Sequence, residues 1–532
     1  MSTKSAPEVP EWTKDAIFYQ IFPDRFARHA EAPDMSGLEG WEEEPTVYGF
    51  KGGTLRGIEE RLDYLADLGI TALYLNPIFQ SAANHRYHTF DYLTIDPILG
   101  TKEDFRSLLS AAHARDIKVI LDGVFNHVGR GFFQFNHVLE NGKASPYVDW
   151  FHFNPEHLED DGVVAFPQDE HHRKLGRHGG TYDILGYRAW ADLAPLPKLN
   201  TDNPEVREFL LQVAEYWIKE GIDGWRLDVP NEIDDPPFWR EFRRRVREIN
   251  PEAYIVGEIW THAPEWLQGD RFDALMNYPF SRFSLGFFGG ERLDTSFTPG
   301  GFSLEHLDSG ALVDAVEEHL RGYEAKTNLV QLNLLGSHDT ARFRTLLAGD
   351  AGRAGLATLF LFLLPGAPCI YYGDEIGLEG GDDPACRAGF PWERREEWNL
   401  GLLELTKAAI TLRREHPAVR RGEYAALPTE RAAEREGVGN WNDQLVVARW
   451  NEEELVLGLF NRAAVAAEMI LSVAELRGRF GELGEVEAIL GLSGADGAAL
   501  LEPSPPRPKK SGERLRLTLP PLSGRLYAAS RS

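Results

Sequence analysis

Short apolar runs alternate with amphipathic stretches over about four hundred residues, the signature of repeated βα units around a parallel sheet. The runs read AIFYQIF, TALYLNP, IKVILDGV, GWRLD, AYIVGEI, FDALMN, LVQLNLL and PCIYYG. Eight is the number of strands that closes a barrel. Between them, LRGIEERLDYLADLG, KEDFRSLLSAAHARD, NPEVREFLLQVAEYWIKEG and PFWREFRRRVREIN space their apolar residues by three and four, as helices do. Asn203-Pro204 and Thr101 are helix starts, and Gly69 and Gly221 are stops. After IKVILDGV a stretch rich in His, Gly, Asp and aromatics shows little periodicity and is too long for a loop. Beyond about Pro417 the pattern changes to alternating runs such as DQLVVARW and ELVLGLFN, which predict antiparallel strands. The expected fold class is α/β: a (β/α)8 TIM barrel over 1–127 and 191–418, an inserted domain over 128–190, and a C-terminal antiparallel β-sandwich over 419–532. EPSPPRPKKSGE, within the last part, reads as a solvated loop.

The bulk numbers narrow the function. A chain of 532 residues with 43% hydrophobic and 11% aromatic residues is globular, and its length suggests roughly two to four units. A net charge of -27 with a pI near 5.1 argues against nucleic acid or an anionic membrane as partner and favours an uncharged substrate. Two cysteines, Cys369 and Cys386, are too few for a disulfide scaffold. The start MSTKSAPEVPEW lacks an apolar signal core and no stretch reaches membrane-spanning length, so a cytoplasmic protein is expected.

In a βα barrel the reactive groups gather at the carboxyl ends of the strands. Polar residues collect there: Asp122, Asn126 and His127 in DGVFNH, Arg226 and Asp228 in GIDGWRLD, Glu258 in YIVGEIW, and His338 and Asp339 in NLLGSHDT. Arg226 and Asp228, at i and i+2, share one strand face, and a purely structural ion pair is one reading of them. Four successive polar clusters at one rim favour a site instead. Glycoside hydrolysis passes through an oxocarbenium-like transition state and needs one protonated and one ionised carboxyl. Arg226 should hold Asp228 ionised as nucleophile, while Glu258, leaving an apolar strand beside Trp260, suits a proton donor. Asp339 then grips sugar hydroxyls and disfavours ionisation of Glu258.

DGVFNH, GIDGWRLD, GEIW and LLGSHDT, in that order, resemble the conserved regions of the α-amylase family, glycoside hydrolase family 13. LPKLN, residues 196–200, is similar to the MPKLN-type signature of its neopullulanase, cyclomaltodextrinase and maltogenic amylase subfamily, with Leu196 in place of Met. The resemblance implies Asp228 as nucleophile, Glu258 as acid/base and Asp339 as transition-state stabiliser. It gives Arg226 the task of holding Asp228, and His127 and His338 hydrogen bonds to the sugar at the bond-breaking subsite. Tyr87 in HRYHTFDY matches an aromatic platform under that sugar, and Asp383 and Arg387 in GDDPACR a sugar-contacting pair. Asn231 and Glu232 in VPNE match a VANE-like stretch on the acceptor side, with Pro230 a departure. Trp260 suits an acceptor platform, because sugar faces stack on aromatic rings. Other readings stay open at some positions: a metal ligand or loop-fixing residue for His127, ordinary core for Tyr87, and either subsite or core for RGFFQFNH. The histidines of DEHHRKLGRHGG, residues 169–180, lack an ordered zinc-ligand pattern.

The implied activity is retaining hydrolysis of α-1,4-glucosidic bonds of maltooligosaccharides, cyclodextrins, pullulan or starch, with some transglycosylation. The alternatives are a glucanotransferase or α-glucoside isomerase on the same acids and, from a different class, a noncatalytic sugar-binding protein. The subfamily's extra N-terminal β domain has no counterpart before EWTKDAIFYQIFPDRF, so its domain-swapped dimer is not expected. No cofactor is required. Calcium, which relatives bind early in the chain, is not expected there, since RHAEAPDMSGLEG and Gly52, Gly53 and Thr54 do not match; a position between Asn126 and the insertion stays open.

Overall fold

Eight parallel strands close the barrel in strict chain order: β1 (Phe18–Ile21), β2 (Ala72–Leu75), β3 (Lys118–Gly123), β4 (Gly224–Leu227), β5 (Tyr254–Gly257), β6 (Ala274–Asn277), β7 (Leu332–Leu334) and β8 (Ala367–Tyr371), with β8 paired back to β1. These are the eight apolar runs of the sequence. The computed structural model describes residues 8–31, 35–159, 162–298, 303–427, 441–494, 500–502, 505–511 and 513–531. The strands are buried on both faces and mainly apolar; Lys118, which opens β3 and pairs with Asp223, is part-buried, while Gln20, Asp122 and Arg226 are buried polar residues within them.

The helix signals act as read. Thr101 closes a capping box with Asp104, and Asn203 accepts from the Glu205 amide ahead of Pro204. Gly69 and Gly221 end their helices at φ of 95° and 107°, a conformation that disfavours side chains with a Cβ. One expected helix is split: Leu55–Glu60 and Leu62–Leu68 are separated at Arg61, whose guanidinium lies 4.4 Å over the Trp392 ring.

Over 128–190 the chain is largely irregular; its longest helix among the described residues is Phe133–Asn141, and isolated bridges tie the segment to the barrel rim at His127 and Lys198. Its core is aromatic: Phe132, Phe135, Phe151 and Tyr187 are buried, and Phe135 stacks on Phe153. In RGFFQFNH, Phe132 and Phe135 are therefore core, while Phe133 is turned outward. After Pro417 an antiparallel sheet of six strands faces one of three. Leu455, Leu457, Met469, Leu517 and Tyr527 fill the space between them. The expected solvated loop at 502–513 is corrected in part: Lys509–Ser511 pairs with Arg514–Leu519, because alternating apolar residues in the second strand offer it an edge.

Candidate active site

The β4 strand packs Trp225 against Phe79 and Phe125 and turns Arg226 to Asp122. Arg226 is fully buried, and its guanidinium serves three carboxyls: Nη1 meets Asp122 Oδ1 at 2.8 Å and Asp228 Oδ1 at 2.9 Å, and Nη2 meets Glu258 Oε2 at 2.9 Å. Strands β3, β4 and β5 thus deliver one acid each to a single cation. Immediately after Asp228, Val229 adopts φ 34°, a left-handed conformation that is costly for a β-branched residue. The turn aims its amide at Glu258 Oε2, 3.2 Å away. Glu258 Oε1 accepts from the Trp260 indole at 2.9 Å, and one face of that indole stacks on Tyr278 at 4.0 Å.

A second network fixes Tyr87 and His338. Gln20 on β1 donates to Asn76 Oδ1 (3.0 Å) and faces His338 Nδ1 (2.9 Å); Asn76 donates to the Tyr87 hydroxyl (2.9 Å), which donates to Asp122 Oδ2 (2.7 Å). With Nδ1 of His338 accepting from Gln20, the ring proton sits on Nε2, which faces Tyr87 Oη at 2.6 Å and Asp339 Oδ2 at 3.1 Å. The Tyr87 and His338 rings lie parallel, 6° apart in plane. Arg387 completes this side, bridging Asp339 (3.1 Å) and Asp383 (2.8 Å) while its Nε donates to the His338 carbonyl.

Most of the expected site residues thus fall in two linked networks. Arg226, Asp228, Glu258 and Trp260 gather with Asp122 in one; Tyr87, His338, Asp339, Asp383 and Arg387 form the other, joined to the first through Tyr87 and Asp122. His127 stands apart, stacked on Trp190 at 5.3 Å, with Nε2 buried and without a hydrogen-bond partner. Asn231 and Glu232 are exposed on a 3-10 turn, where Glu232 pairs with Lys198 of the LPKLN stretch.

The electrostatics correct one expectation. Arg226 was to hold Asp228 ionised while Glu258 kept its proton. Burial instead raises Asp228 well above the usual carboxylate range, with Arg226 opposing and the charges of Glu258, Asp122 and Asp339 adding to the rise. Glu258 is also raised, by burial first, with Arg226 opposing and Asp339 adding. Trp260, expected to disfavour the charge, does the reverse through its N–H. The physical reason is division: one guanidinium faces three buried carboxyls, so Asp228 does not have Arg226 to itself. His127 is pushed down to about 3 and His338 well below its ordinary value by burial, so both act as neutral hydrogen-bonding groups.

Sequence reasoning missed Gln20, Tyr74, Asn76 and Trp190. Tyr74 donates to Asp122 Oδ2 at 2.8 Å, and all but Trp190 are polar groups inside strand-end apolar runs, the signal that had marked Asp122. The early loop has its own cation: Lys51 Nζ donates to the carbonyls of Gly40 and Glu43 at 2.7 Å each and lies 3.8 Å from Glu39. An ammonium thus occupies oxygens that a divalent ion at this position would need. Asn126 Oδ1 is buried without a partner, yet among the described residues no group of three or more His, Cys, Asp or Glu side chains is placed to hold a metal. Among them, too, no helix is long and apolar enough to cross a membrane.

Comparison with known proteins agrees with this geometry. Residues 20–402 match the model of the alpha-amylase catalytic domain. A cyclomaltodextrinase of Geobacillus thermopakistaniensis is 43% identical over 475 residues, 89% of this chain and 73% of its own. The crystal structure of Ttha1563 from Thermus thermophilus superposes with a TM-score of 0.82 at 44% identity, covering 97% of this chain and 99% of that one. A ligand-free cyclic alpha-maltosyl-(1-->6)-maltose hydrolase from Arthrobacter globiformis gives 0.78 at 36% identity, covering 98% and 100%. With its closed eight-stranded barrel, its acids on three successive strands and these likenesses, the chain belongs to the α-amylase family of glycoside hydrolases.

Proposed function

We propose that the protein hydrolyses α-1,4-glucosidic bonds of maltooligosaccharides, cyclodextrins, pullulan or starch with retention of configuration and some transglycosylation. The observation that carries this is the fork of Arg226, which sets Asp228 and Glu258 against adjacent guanidinium nitrogens. Carboxyls so close suit direct attack on carbon, for which a retaining pair stands roughly 5 Å apart. Glu258 gives its proton to the glycosidic oxygen as the bond to C1 breaks, and Asp228 forms a covalent bond to C1. Water then delivers its oxygen to C1 and its proton to Glu258, which restores Asp228 as carboxylate; a sugar hydroxyl in place of water gives transfer. Burial raises both Asp228 and Glu258, which favours a protonated acid, while Arg226 opposes the rise at Asp228 and so favours the carboxylate that attacks.

Tyr87 carries the reacting sugar on a ring fixed by His338, and His127, His338 and Asp339 take its hydroxyls. Asp383 and Arg387 hold the next sugar on the donor side, while Trp260, Asn231 and Glu232 line the acceptor side. The reaction draws on no cofactor or metal in this scheme. A cytoplasmic setting fits the two buried free thiols. The test is a panel of maltose, maltotriose, β-cyclodextrin, pullulan and soluble starch, with products and their anomeric form followed by NMR. Initial release of α-anomers supports the reading, β-anomers refute retention, and products larger than maltotriose from maltotriose show transfer.

A further inference from the structure

The loop that follows β1 carries an unusual pair of side chains. Tyr48 is 89% exposed and Val47 57% exposed, yet the backbone between them is held from several sides. Asn84 is buried and its amide donates to the carbonyls of both Val47 (2.9 Å) and Gly49 (2.8 Å). Arg25 Nη2 donates to the same Gly49 carbonyl at 2.6 Å. Glu39 folds back beneath: its carboxylate accepts from the Thr46 amide and lies against Gly49, where an added Cβ would meet it at 1.7 Å. Lys51 binds the loop's inner carbonyls. An exposed tyrosine at a loop tip ordinarily has nothing to hold it; this one stands on a buried polar frame.

The frame leads to the active site. Asn84 is three residues before Tyr87. Arg25 lies over one ring, Phe22, at 5.9 Å, and Arg387 lies over the same ring at 5.4 Å. Burial raises Asp383 above its ordinary range, and both Arg387 and Arg25 oppose that rise with their charge. The loops after β1, β2 and β8 therefore meet, and Gly49, the residue after Tyr48, is tied through Arg25 and the Phe22 ring to Arg387.

We propose that Tyr48 is a stacking platform for one further glucose unit on the donor side, beyond the sugar held by Asp383 and Arg387, and so sets a preference for longer α-glucans. A pyranose presents an apolar face of C–H groups, and a rigid aromatic ring takes it without the entropy loss of ordering a free loop. The bracing by Asn84, Arg25 and Lys51 is what keeps the ring ready. This rests on the α-glucan reading above.

The test separates the two. In a Glu258→Gln background, maltotriose and maltohexaose binding are measured by titration calorimetry with Tyr48 intact, as Tyr48→Ala and as Tyr48→Phe. The preference for maltohexaose over maltotriose should fall roughly three- to tenfold in the alanine variant and persist in the phenylalanine variant. An unchanged preference in Tyr48→Ala, or an equal loss for both oligomers, would overturn the platform. The unmodified enzyme's turnover of maltotriose tests the activity on its own: no turnover with a Tyr48-dependent preference removes the hydrolase reading alone, and no glucan binding by the parent overturns both.

Discussion

Replacing Arg226 by methionine tests the electrostatic core of the site. Methionine fits the volume of the guanidinium stem but leaves Asp122, Asp228 and Glu258, at 2.8, 2.9 and 2.9 Å from it, with no cation. At a separation of about 4 Å and an effective dielectric near 20, one unit charge on another is worth about 4 kcal/mol, or roughly three pKa units. Proton uptake by one of the trio relieves part of this for the others. Asp228, already raised by burial, should therefore move up further, by at least about two units. A nucleophile must be ionised to attack, so the acidic limb of kcat/KM against pH should shift upward by that amount. At any pH on the acidic side of the parent limb the rate should fall by about a hundredfold, with recovery as the pH is raised past the displaced limb. Stability should drop by about 3–5 kcal/mol near neutral pH, the usual cost of breaking a buried ion pair from one side. The assay is maltotriose hydrolysis from pH 4 to 10, with circular dichroism confirming the fold at each point. An acidic limb displaced by less than half a unit in a folded variant would show that Arg226 does not govern the ionisation of Asp228.

Asp228→Asn should abolish turnover while maltotriose still binds, seen by calorimetry; near-normal rates would reject its role as nucleophile. Glu258→Gln should lower kcat roughly 10²–10⁴-fold on maltotriose, the ordinary range for a general acid. Trp260→Phe removes an N–H that favours charged Glu258, so its pKa rises; since the acid must be protonated, the alkaline limb of kcat should move to higher pH. Glu375 accepts from Tyr19 (2.8 Å) and Tyr64 (2.7 Å), and burial pushes it up to about 7. Its folded pKa lies above its unfolded one, so stability is fully present below about pH 4.5 and declines as pH rises through 7, by ~3 kcal/mol. Melting temperatures of Glu375→Gln should lack that decline.

How far the residues announced this site depends on which force places each one. Strand-end acids were legible because a charge at the end of an apolar run has few structural uses, and the barrel rule turns chain order into spatial order. Asp122, Arg226, Asp228 and Glu258 lie on consecutive strands, so knowing the fold was nearly enough to know they meet. What stayed hidden was how the guanidinium divides itself. Spacing of i and i+2 within β4 showed that Arg226 reaches Asp228; nothing along the chain showed that Asp122 and Glu258 reach it too, since those distances depend on the stagger of β3 and β5. The ionisation order followed the same fault, because burial of the whole trio outweighs the attraction of one partner. Gln20 and Asn76 were passed over as isolated polar residues in strands, though together they set the tautomer of His338 and the direction of the Tyr87 hydroxyl. Their contribution is to orientation, which a neutral amide supplies without marking the sequence as a charge does. The β1 loop is the extreme case: nothing in the sequence singles out Lys51, and only the convergence of two carbonyls on its ammonium shows that the loop is built around a fixed positive charge. A cation tethered to the chain cannot be chelated away. Lys51→Met should therefore loosen this loop and weaken binding of long glucans, whereas EDTA should not alter it.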